Sequence, residues 1–270
     1  MLSPNQQSTI KDQKSIYFDS LAPTYDADFT ATPLARELRG RVWARLDEVF
    51  EPGAAVLELA CGTGEDARHL AQRGVRVTAT DQSAGMLAAA RAKTAGLPVS
   101  VAPLDLAVPA LTPEIQSGAP FAGVLSNFGG LNALPSHRAL AEFLAPLVRP
   151  GGRLVLVVMG RWCGWEIGWH LLHGQPRRAF RRLNPKGATS QAGGADFTVY
   201  YPSTAALTRD LAPHFRLVRA WPLGLWLPPT YLEPLTRRRW FAFRLAAGLE
   251  RRLPWPLLAD HTVYEFVREV

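Results

Sequence analysis

The sequence has few cysteines and no long run of apolar residues. Only Cys61 and Cys163 occur among its 270 residues, too few for a disulfide framework, so we expect a reducing compartment. No apolar run reaches the roughly 18 residues of a membrane span, and residues 1–20 lack the apolar core of a secretory signal. No cysteine and histidine cluster has metal-ligand spacing. These absences predict a cytoplasmic protein without a metal site.

Charge is present but unevenly placed. The formal net charge is +7, with 47% hydrophobic and 20% charged residues, which is the composition of a folded domain. Most basic residues are arginines in the second half of the chain. This balance suits nucleic acid, an anionic membrane or an acidic substrate, and it fits a compositional bias of the source genome equally well. Because the chain has no RNA-binding signature, we expect no nucleic-acid partner.

The most informative stretch is Val56–Ala67, which reads V-L-E-L-A-C-G-T-G-E-D-A. An apolar strand leads into two glycines and a helix start, which is the first β-turn-α unit of a nucleotide-binding α/β fold. Gly62, Gly64 and Ala67 also satisfy the G-x-G-x-x-G/A pattern that binds a dinucleotide pyrophosphate. The carboxylate of Glu58 would repel a pyrophosphate and suits an ammonium group instead. A tight turn that binds nothing is the structural alternative.

The acidic strand followed by A-C-G-T-G resembles motif I of the class I S-adenosylmethionine-dependent methyltransferases of the small-molecule type. The resemblance implies an α/β fold with a Rossmann-like, seven-stranded, mostly parallel sheet, helices on both faces and an inserted lid. It also implies S-adenosyl-L-methionine as the cofactor. In this family the acid, here Glu58, lies near the methionine end, and the backbone at Ala60, Gly62 and Gly64 passes against the cofactor.

The N-terminal segment 16–26 reads I-Y-F-D-S-L-A-P-T-Y-D. Its F-D-x-x-A-x-x-Y-D pattern resembles the cap of many small-molecule methyltransferases, which folds over the cofactor. The resemblance implies that Tyr25 lines the site, and packing on the core is the alternative. Residues 1–16 are expected to be loosely packed. We expect a single domain over residues 1–270, with cap helices over about 1–50.

A second predicted strand ends on Asp81, seventeen residues beyond Gly64. A carboxylate there can accept hydrogen bonds from both ribose hydroxyls, in dinucleotide enzymes as in methyltransferases. The run D-Q-S-A-G-M-L that begins at Asp81 resembles the next methyltransferase segment. Ser83 is then a helix N-cap. Met86 faces adenine by this resemblance, and a core position is its alternative.

Two more strand ends complete the predicted cofactor site. By the resemblance, Asp105 accepts a hydrogen bond from the adenine amino group, with a turn or cap aspartate as the alternative. Asn127 and Phe128 end the fourth strand, where open parallel sheets bind ligands. Ala122 departs from the family, since many members carry an acid there. The predicted cofactor residues are Tyr25, Glu58, Ala60, Gly62, Gly64, Asp81, Gln82, Met86, Asp105, Leu106, Asn127 and Phe128.

Hydrophobic periodicity and turn residues predict the other elements. Strands are expected over 54–60, 75–81, 98–103, 121–128, 154–159, 214–221 and 261–267, with the last one antiparallel. Helices are expected over 33–50, 65–73, 83–96, 136–148 and 203–211, and a P-G-G turn over 149–153.

The resemblance fades from Gly160 onward, where tryptophan and arginine become frequent. Residues 187–201 alternate like a short hairpin. In this family an insertion after the fifth strand forms a lid over the acceptor, so we expect a lid over about 160–202 and an apolar or aromatic acceptor. A lid core that touches no substrate is the alternative. The predicted pocket residues are Asn132, Trp162, Trp165 and Tyr201.

Methyl transfer to a small organic acceptor is the implied reaction, driven chiefly by alignment and the exclusion of water. An ionised acceptor needs little base, whereas a neutral hydroxyl or carbon acceptor needs one. His170, His173, Tyr200 and Tyr201 are candidates near the lid, and nothing in the sequence chooses among them, so no catalytic residue is named.

Two rival functions share part of this pattern. An NAD-dependent oxidoreductase would use Gly62, Gly64 and Asp81 but leaves Glu58 and Asp105 unexplained. A non-catalytic scaffold would bind the cofactor without turnover.

Residues 231–252 predict one long helix that is both apolar and rich in arginine. Such a helix can contact an anionic membrane weakly from one side, or form the entrance for a lipid-like acceptor. The alternative is a helix packed on the sheet with a solvated basic face.

Overall fold

The computed structural model describes residues 17–192, 195–235, 240–250 and 258–269. The expectation of loose packing over residues 1–16 lies outside these ranges. A seven-stranded sheet with helices on both faces forms the centre of the described chain. The predicted fold class is therefore confirmed.

The sheet is parallel on one side and antiparallel on the other. Its strands are β1 Ala55–Leu59, β2 Arg76–Asp81, β3 Val99–Pro103, β4 Phe121–Ser126, β5 Val148–Met159, β8 Phe215–Leu223 and β9 His261–Arg268, and a separate hairpin contains β6 Ala188–Ala192 and β7 Ala195–Val199. The sheet order is β3-β2-β1-β4-β5-β9-β8. Strands β1 to β5 pair in parallel, whereas β9 is antiparallel to β5 and β8. The chain order reverses beside β1, and ligands of open α/β sheets bind at such a point, beyond the carboxyl ends of the strands.

Helices and short helical turns connect the strands. Thr32, Ser83 and Ser203 cap three of the helices, because each side chain accepts a hydrogen bond from the backbone N–H three residues later. The helices are α1 Pro33–Val49, α2 Glu65–Gln72, α3 Ala84–Lys93, α4 Pro113–Gly118, α5 Arg138–Leu144, α6 Gly164–Leu172, α7 Pro176–Ala179, α8 Thr204–Leu211 and α9 Trp240–Glu250, with a π-helical turn Asp26–Thr30 and 3-10 turns Gly130–Ala133, Arg181–Leu183 and Thr230–Leu235. Within the described ranges, no helix combines the length and the apolarity needed to cross a bilayer.

Alternation along the strands divides the core into two apolar clusters. In β1, Leu57 and Leu59 belong to one cluster, whereas Val56 belongs to the cluster that contains α1 and α2 side chains. Successive strand side chains point to opposite faces. Glu58 therefore shares the face of Val56, and its carboxyl group is directed to the side where α1 and α2 pack.

The boundaries around β5 differ from the expected ones. The strand begins at Val148 rather than at residue 154, and α5 ends at Leu144. Val148 pairs with Phe121, and the register then shifts before Arg153 pairs with Gly123. The predicted P-G-G turn is therefore a bulge inside β5. The segment looks like a connection in the sequence, but it belongs to β5 because the strand pairs with β4 on both sides of the bulge.

The prediction of one helix over 231–252 was wrong in its extent. Residues Thr230–Leu235 form a 3-10 turn that contains Pro234, and α9 begins at Trp240. Proline lacks the N–H that a helix interior requires. Residues 236–239 and 251–252 lie outside the described ranges. The predicted hairpin within 187–201 is confirmed, whereas α4 was not predicted.

Candidate active site

The turn between β1 and α2 has one glycine with an open face. Gly62 has a φ of +53°, and among the described residues a Cβ atom there would meet only Tyr25 Cε1, at 4.0 Å. Gly64 has a φ of +78°, and its Cβ atom would lie 3.0 Å from the Cβ of Ala90 on α3. Helix packing thus explains Gly64, whereas Gly62 leaves room for a ligand against the backbone.

Two residues that are not glycine share the left-handed conformation at this edge of the sheet. Ala60 follows β1 with a φ of +53°, and Phe128 lies just beyond β4 with a φ of +49°. Leu59 pairs with Ser126, so both residues lie at the carboxyl ends of neighbouring strands. The conformation costs an L-residue about 1–2 kcal/mol. Such strain concentrates at ligand sites, where the surrounding structure enforces it.

Asp81, the last residue of β2, joins the turn to the start of α3. Its Oδ2 accepts a hydrogen bond from the Gly62 N–H at 2.9 Å, and its Oδ1 accepts one from the Ser83 N–H at 2.9 Å. These bonds hold the carboxylate beside the open glycine. Each carboxylate oxygen can accept more than one hydrogen bond, so this geometry is compatible with ribose hydroxyls. The ribose role of Asp81 stays a prediction.

Glu58 is a buried carboxyl group at the same turn. It is 1% exposed, and its Oε2 has no hydrogen-bond partner among the described residues. Burial, reinforced by Asp66, raises the pKa of Glu58 well above its usual range, although Arg39 and a backbone hydrogen bond from Ala67 oppose this effect. A buried polar atom without a partner is costly. A ligand ammonium group would provide the missing partner.

A polar network beside Glu58 was missed in the sequence. Arg39 Nη1 pairs with Asp66 Oδ2, Trp43 Nε1 donates to Asp66 Oδ1 at 2.6 Å, and Asn127 Nδ2 donates to Asp66 Oδ2 at 3.1 Å. The side chain of Asn127 thereby ties the end of β4 to the first turn of α2. The available signal was a pair of charges, Arg39 and Asp66, on the buried faces of two amphipathic helices.

Two aspartates of the N-terminal pattern attach the cap segment to this turn. Asp19 Oδ1 accepts hydrogen bonds from Ser83 Oγ at 2.6 Å and from the Gly85 N–H at 2.8 Å. Asp26 Oδ1 accepts a hydrogen bond from Thr63 Oγ1 at 2.6 Å, and its Oδ2 lies 2.6 Å from Lys93 Nζ. The sequence pattern included both aspartates, but only Tyr25 received a role from it.

Aromatic rings extend from the glycine turn towards β9. The ring centroids of Tyr25 and Phe29 are 5.4 Å apart, those of Phe29 and Phe128 are 5.7 Å apart, and those of Phe128 and His261 are 5.8 Å apart. The Arg39 guanidinium lies 4.8 Å from the centroid of the Phe128 ring. We call Tyr25, Phe29, Phe128 and His261 the aromatic cluster. Burial raises the pKa of Tyr25 to about 12, so its hydroxyl stays neutral.

The predicted adenine-side residues follow β2 and β3. Met86 is 1% exposed, Leu106 packs against the core, and Gln82 is exposed. Asp105 Oδ1 accepts a hydrogen bond from the Ala107 N–H at 2.8 Å, which is a local aspartate turn. Contacts between these residues and adenine stay predictions.

Asn132, predicted in the acceptor pocket, bridges β5 and the segment 160–202. Its Nδ2 donates to the carbonyls of Met159 at 3.1 Å and Tyr200 at 2.7 Å. Its Oδ1 accepts a hydrogen bond from the Met159 N–H at 2.9 Å. The carboxamide therefore joins the end of the sheet to this segment. A direct contact with the acceptor stays a prediction.

The other predicted pocket residues point to different neighbours. Trp162 is 40% exposed. Trp165 Nε1 donates to the Leu225 carbonyl at 3.1 Å, and its ring lies 5.8 Å from that of Phe243. Tyr201 is half-buried beneath the Arg182 guanidinium, and burial raises its pKa. Their roles towards an acceptor stay predictions.

The fold and the site are those of a nucleotide-binding α/β protein. Comparisons with known proteins narrow the class further. A family model described as a methyltransferase domain matches residues 56–152. Demethylmenaquinone methyltransferase from Mycolicibacterium paratuberculosis is 29% identical over 72% of this chain and 81% of its own length, and the one from Beutenbergia cavernae is 35% identical over 52% and 55%. This chain spans little more than half the length of most such relatives.

A solved structure agrees at the level of the fold. Magnesium protoporphyrin IX methyltransferase from Synechocystis, with bound S-adenosylhomocysteine, superposes with a TM-score of 0.58 at 18% identity over 97% of this chain and all of that one. Residues 56–152 thus match a methyltransferase domain, and the fold is that of S-adenosylmethionine-dependent methyltransferases.

The residues present fit S-adenosylmethionine, because Glu58 offers a buried carboxyl group to an ammonium group and Gly62 leaves the backbone open.

Proposed function

We propose that this protein transfers a methyl group from S-adenosylmethionine to a small organic acceptor with an apolar or aromatic body. The observation that carries the proposal is the buried Glu58 Oε2, which lacks a partner among the described residues and lies on the strand that leads to the open Gly62. A phosphate at this turn would face that carboxylate at close range. A sulfonium amino acid would instead bring an ammonium group to it.

In this proposal the cofactor supplies an activated methyl group, and the protein binds, orients and excludes water. Asp81 holds the ribose hydroxyls, and Glu58 receives the ammonium group. Met86, Asp105 and Leu106 surround the adenine. Tyr25 and Phe29 close the site from the cap segment, which Asp19 and Asp26 fasten to the turn. The exclusion of water strengthens each of these polar contacts.

The acceptor binds, in our proposal, between the aromatic cluster and the segment 160–202, which acts as its lid. Aromatic rings favour a flat or apolar acceptor. The curated relatives are named demethylmenaquinone methyltransferases, and this supports an acceptor with a quinol-type ring. The two cysteines are free and buried, which supports a cytoplasmic location.

Calorimetry followed by a turnover assay tests the proposal. S-adenosylhomocysteine should bind, whereas NAD should not, and radiolabelled methyl groups should pass to an acceptor panel that includes reduced naphthoquinones. Asp81→Asn should weaken the binding, while Asp28→Asn, at an exposed position, serves as the matched control. Preferential binding of NAD would contradict the cofactor assignment. Binding without transfer to any member of the panel would instead favour a cofactor-binding scaffold.

We further propose weak peripheral membrane contact through residues 231–252. On α9, Phe241 is 82% exposed and Leu245 is 66% exposed, so two side chains one turn apart form an outward apolar stripe. The inner face is fastened to α1, because Arg41 Nη1 donates to the Ala247 carbonyl at 2.8 Å. Residues 231–252 contain six arginines and two glutamates. Apolar side chains flanked by arginine suit an anionic bilayer surface.

Liposome flotation tests this contact. The protein should float with phosphatidylglycerol vesicles at low salt and remain at the bottom with phosphatidylcholine vesicles. Phe241→Ser combined with Leu245→Ser should abolish flotation, whereas Val218→Ser, at an exposed apolar position on β8, should not. A double variant that floats like the wild type would disprove the role of this stripe.

A further inference from the structure

A buried histidine lies at the edge of the sheet where the aromatic cluster ends. His261, 8% exposed, is the first residue of β9 and pairs with Met159 at the end of β5 and Leu223 at the end of β8. Because β9 is antiparallel to β5, its first residue lies at the carboxyl ends of the parallel strands. This is the edge where Phe128 follows β4, and where ligands of such sheets bind.

The imidazole of His261 shares a wall with the proposed cofactor site. Its ring meets Phe128 edge-on, at a centroid distance of 5.8 Å and an interplanar angle of 87°. Phe29, from the cap segment, also meets Phe128 edge-on, at 5.7 Å. The Phe128 ring thus separates His261 from the cap by one aromatic layer.

Asp260 provides the acidic partner of this histidine. His261 Nδ1 lies 3.1 Å from Asp260 Oδ2, which is an ion-pair distance, and makes no hydrogen bond to any described residue. Asp260 Oδ1 accepts a hydrogen bond from Arg182 Nη2 at 2.7 Å. Burial alone would raise the pKa of Asp260, but the nearby His261 and Arg182 hold it well below its usual range. Asp260 is therefore a carboxylate, and the segment 160–202 fixes it through Arg182.

A carboxylate beside Nδ1 favours the tautomer that carries its proton on that nitrogen. The lone pair of Nε2 is then free to accept a proton from a substrate. The same division of roles between an acid and an imidazole recurs in enzymes of unrelated fold. A His–Asp pair at the acceptor edge is thus suited to general-base chemistry.

We propose that His261, oriented by Asp260, is the general base that accepts the proton of a hydroxyl acceptor, an inference that rests on the proposed methyl transfer. The acceptor O–H gives its proton to Nε2, and the oxygen electron pair forms the new bond to the methyl carbon. The electron pair of the former carbon–sulfur bond stays on sulfur. The proton on His261 then passes to solvent, which restores the base.

The histidines suggested by the sequence have other surroundings. His170 Nδ1 lies 3.1 Å from Gln175 Oε1, and His173 Nδ1 lies 2.7 Å from the Trp169 carbonyl. Both partners belong to the segment 160–202 itself. His261, in contrast, contacts the ring that follows β4, and a carboxylate from the neighbouring position orients it.

The test measures methyl transfer by the full chain to 1,4-naphthohydroquinone under anaerobic conditions. His261→Gln should lower kcat by about 100-fold or more, which is the usual contribution of a general base. Its affinity for S-adenosylhomocysteine should stay within about twofold of the wild type. His214→Gln is the matched control and should keep both values. His214 precedes β8 at the opposite edge of the sheet, where Phe215 pairs with Arg268.

Two further readouts separate a base from a structural residue. Added imidazole should restore part of the turnover of His261→Ala. The pH profile of kcat should differ between the wild type and His261→Gln, because only the wild type has the base. The charged groups that face the imidazole are Asp260 and, beyond it, Arg182, with Arg39 across the Phe128 ring.

The possible failures are distinguishable. Wild-type turnover that His261→Gln retains would overturn the base role and leave the proposed function intact. Loss of S-adenosylhomocysteine affinity together with turnover would assign His261 a structural role and also overturn the proposal. If the wild type transfers no methyl group to the hydroquinone, the proposed acceptor class and the base role fall together.

Discussion

Two buried arginines occupy opposite ends of the proposed site, and they differ in how completely the nearby acids are paired. Arg39 pairs with Asp66, which also receives hydrogen bonds from Trp43 and Asn127, while the neighbouring Glu58 keeps an oxygen without a described partner. Arg182 pairs with both Glu166 and Asp260. The excess acid at the cofactor end suits a cation that arrives with a ligand.

The acceptor end shows the opposite balance. Glu166 also receives Arg181, whose Nε lies 2.7 Å from Oε1. Arginines from the turn Arg181–Leu183 thus meet acids from α6 and from the residue before β9. Because each acid in this cluster is paired with an arginine, the cluster stabilises the segment and does not need a ligand cation. The difference teaches that a buried acid with an unpaired oxygen, more than burial alone, distinguishes the cofactor end from the acceptor end.

The largest effect is expected when the cluster of Arg182 with Glu166 and Asp260 is broken. Arg182→Met leaves Asp260 and Glu166 buried with one cation fewer and should lower the free energy of unfolding by about 3–5 kcal/mol. Arg181→Met is the matched control. The Arg181 side chain is 38% exposed, so about 1 kcal/mol or less is expected. Urea denaturation measures both values, and equal losses would contradict the distinction between the two arginines.

The second prediction concerns the cofactor end and the role of Asp81. Asp81→Ala should weaken the binding of S-adenosylhomocysteine by about 1–3 kcal/mol, the scale of hydrogen bonds to a charged group. Isothermal titration calorimetry measures this change, with Asp28→Ala as the exposed control. An unchanged dissociation constant would show that Asp81 only supports the turn.

A third effect appears as a pH dependence. Because burial holds the folded-state pKa of Glu58 above its unfolded value, the folded protein keeps a proton that the unfolded chain has already released. The free energy of unfolding should therefore fall as pH rises from the ordinary glutamate range towards the raised pKa. Glu58→Gln cannot ionise and should gain Tm relative to the wild type across that window.

Glu142→Gln, at an exposed position, should follow the wild type at every pH. Cofactor binding should counteract this loss of stability at higher pH, because an ammonium group favours the ionised carboxylate of Glu58. Parallel Tm curves for the wild type and Glu58→Gln would show that Glu58 has an ordinary pKa.

The smallest effect concerns the cap segment. Asp19→Ala removes the acceptor of the Ser83 hydroxyl and of the Gly85 N–H at the start of α3. The loss should be about 1 kcal/mol, as for other caps of a helix N-terminus. Ser20→Ala, at an exposed neighbouring position, is the control. Thermal unfolding measures both variants, and equal Tm values would contradict an anchoring role for Asp19.

Local sequence patterns predicted the glycine turn and the strand that ends on Asp81, since these elements are adjacent in both the chain and the sheet. Gly62 and Asp81 lie nineteen positions apart and share a hydrogen bond. The strands before β5 and most of the helices before it were also predicted, because apolar periodicity and caps are local signals. The short helix α4 was missed. The bulge in β5 was also missed, since it depends on pairing with β4.

The acceptor end could not be predicted in the same way. His261 and Phe128 are far apart in sequence, and Arg182 meets Asp260 across 78 positions. No spacing rule connects such residues, because their proximity depends on β9 entering the sheet between β5 and β8.

Residue order alone thus specified the glycine turn, the strand that ends on Asp81 and the fold class, because these depend on short-range chemistry repeated along the chain. The pairing of Arg39 with Asp66, the anchoring of the cap and the meeting of His261 with Asp260 and Phe128 came from packing in three dimensions. The physical reason is that strand insertion and burial choose partners for charged groups across long chain distances, and burial then makes each unpaired charge costly.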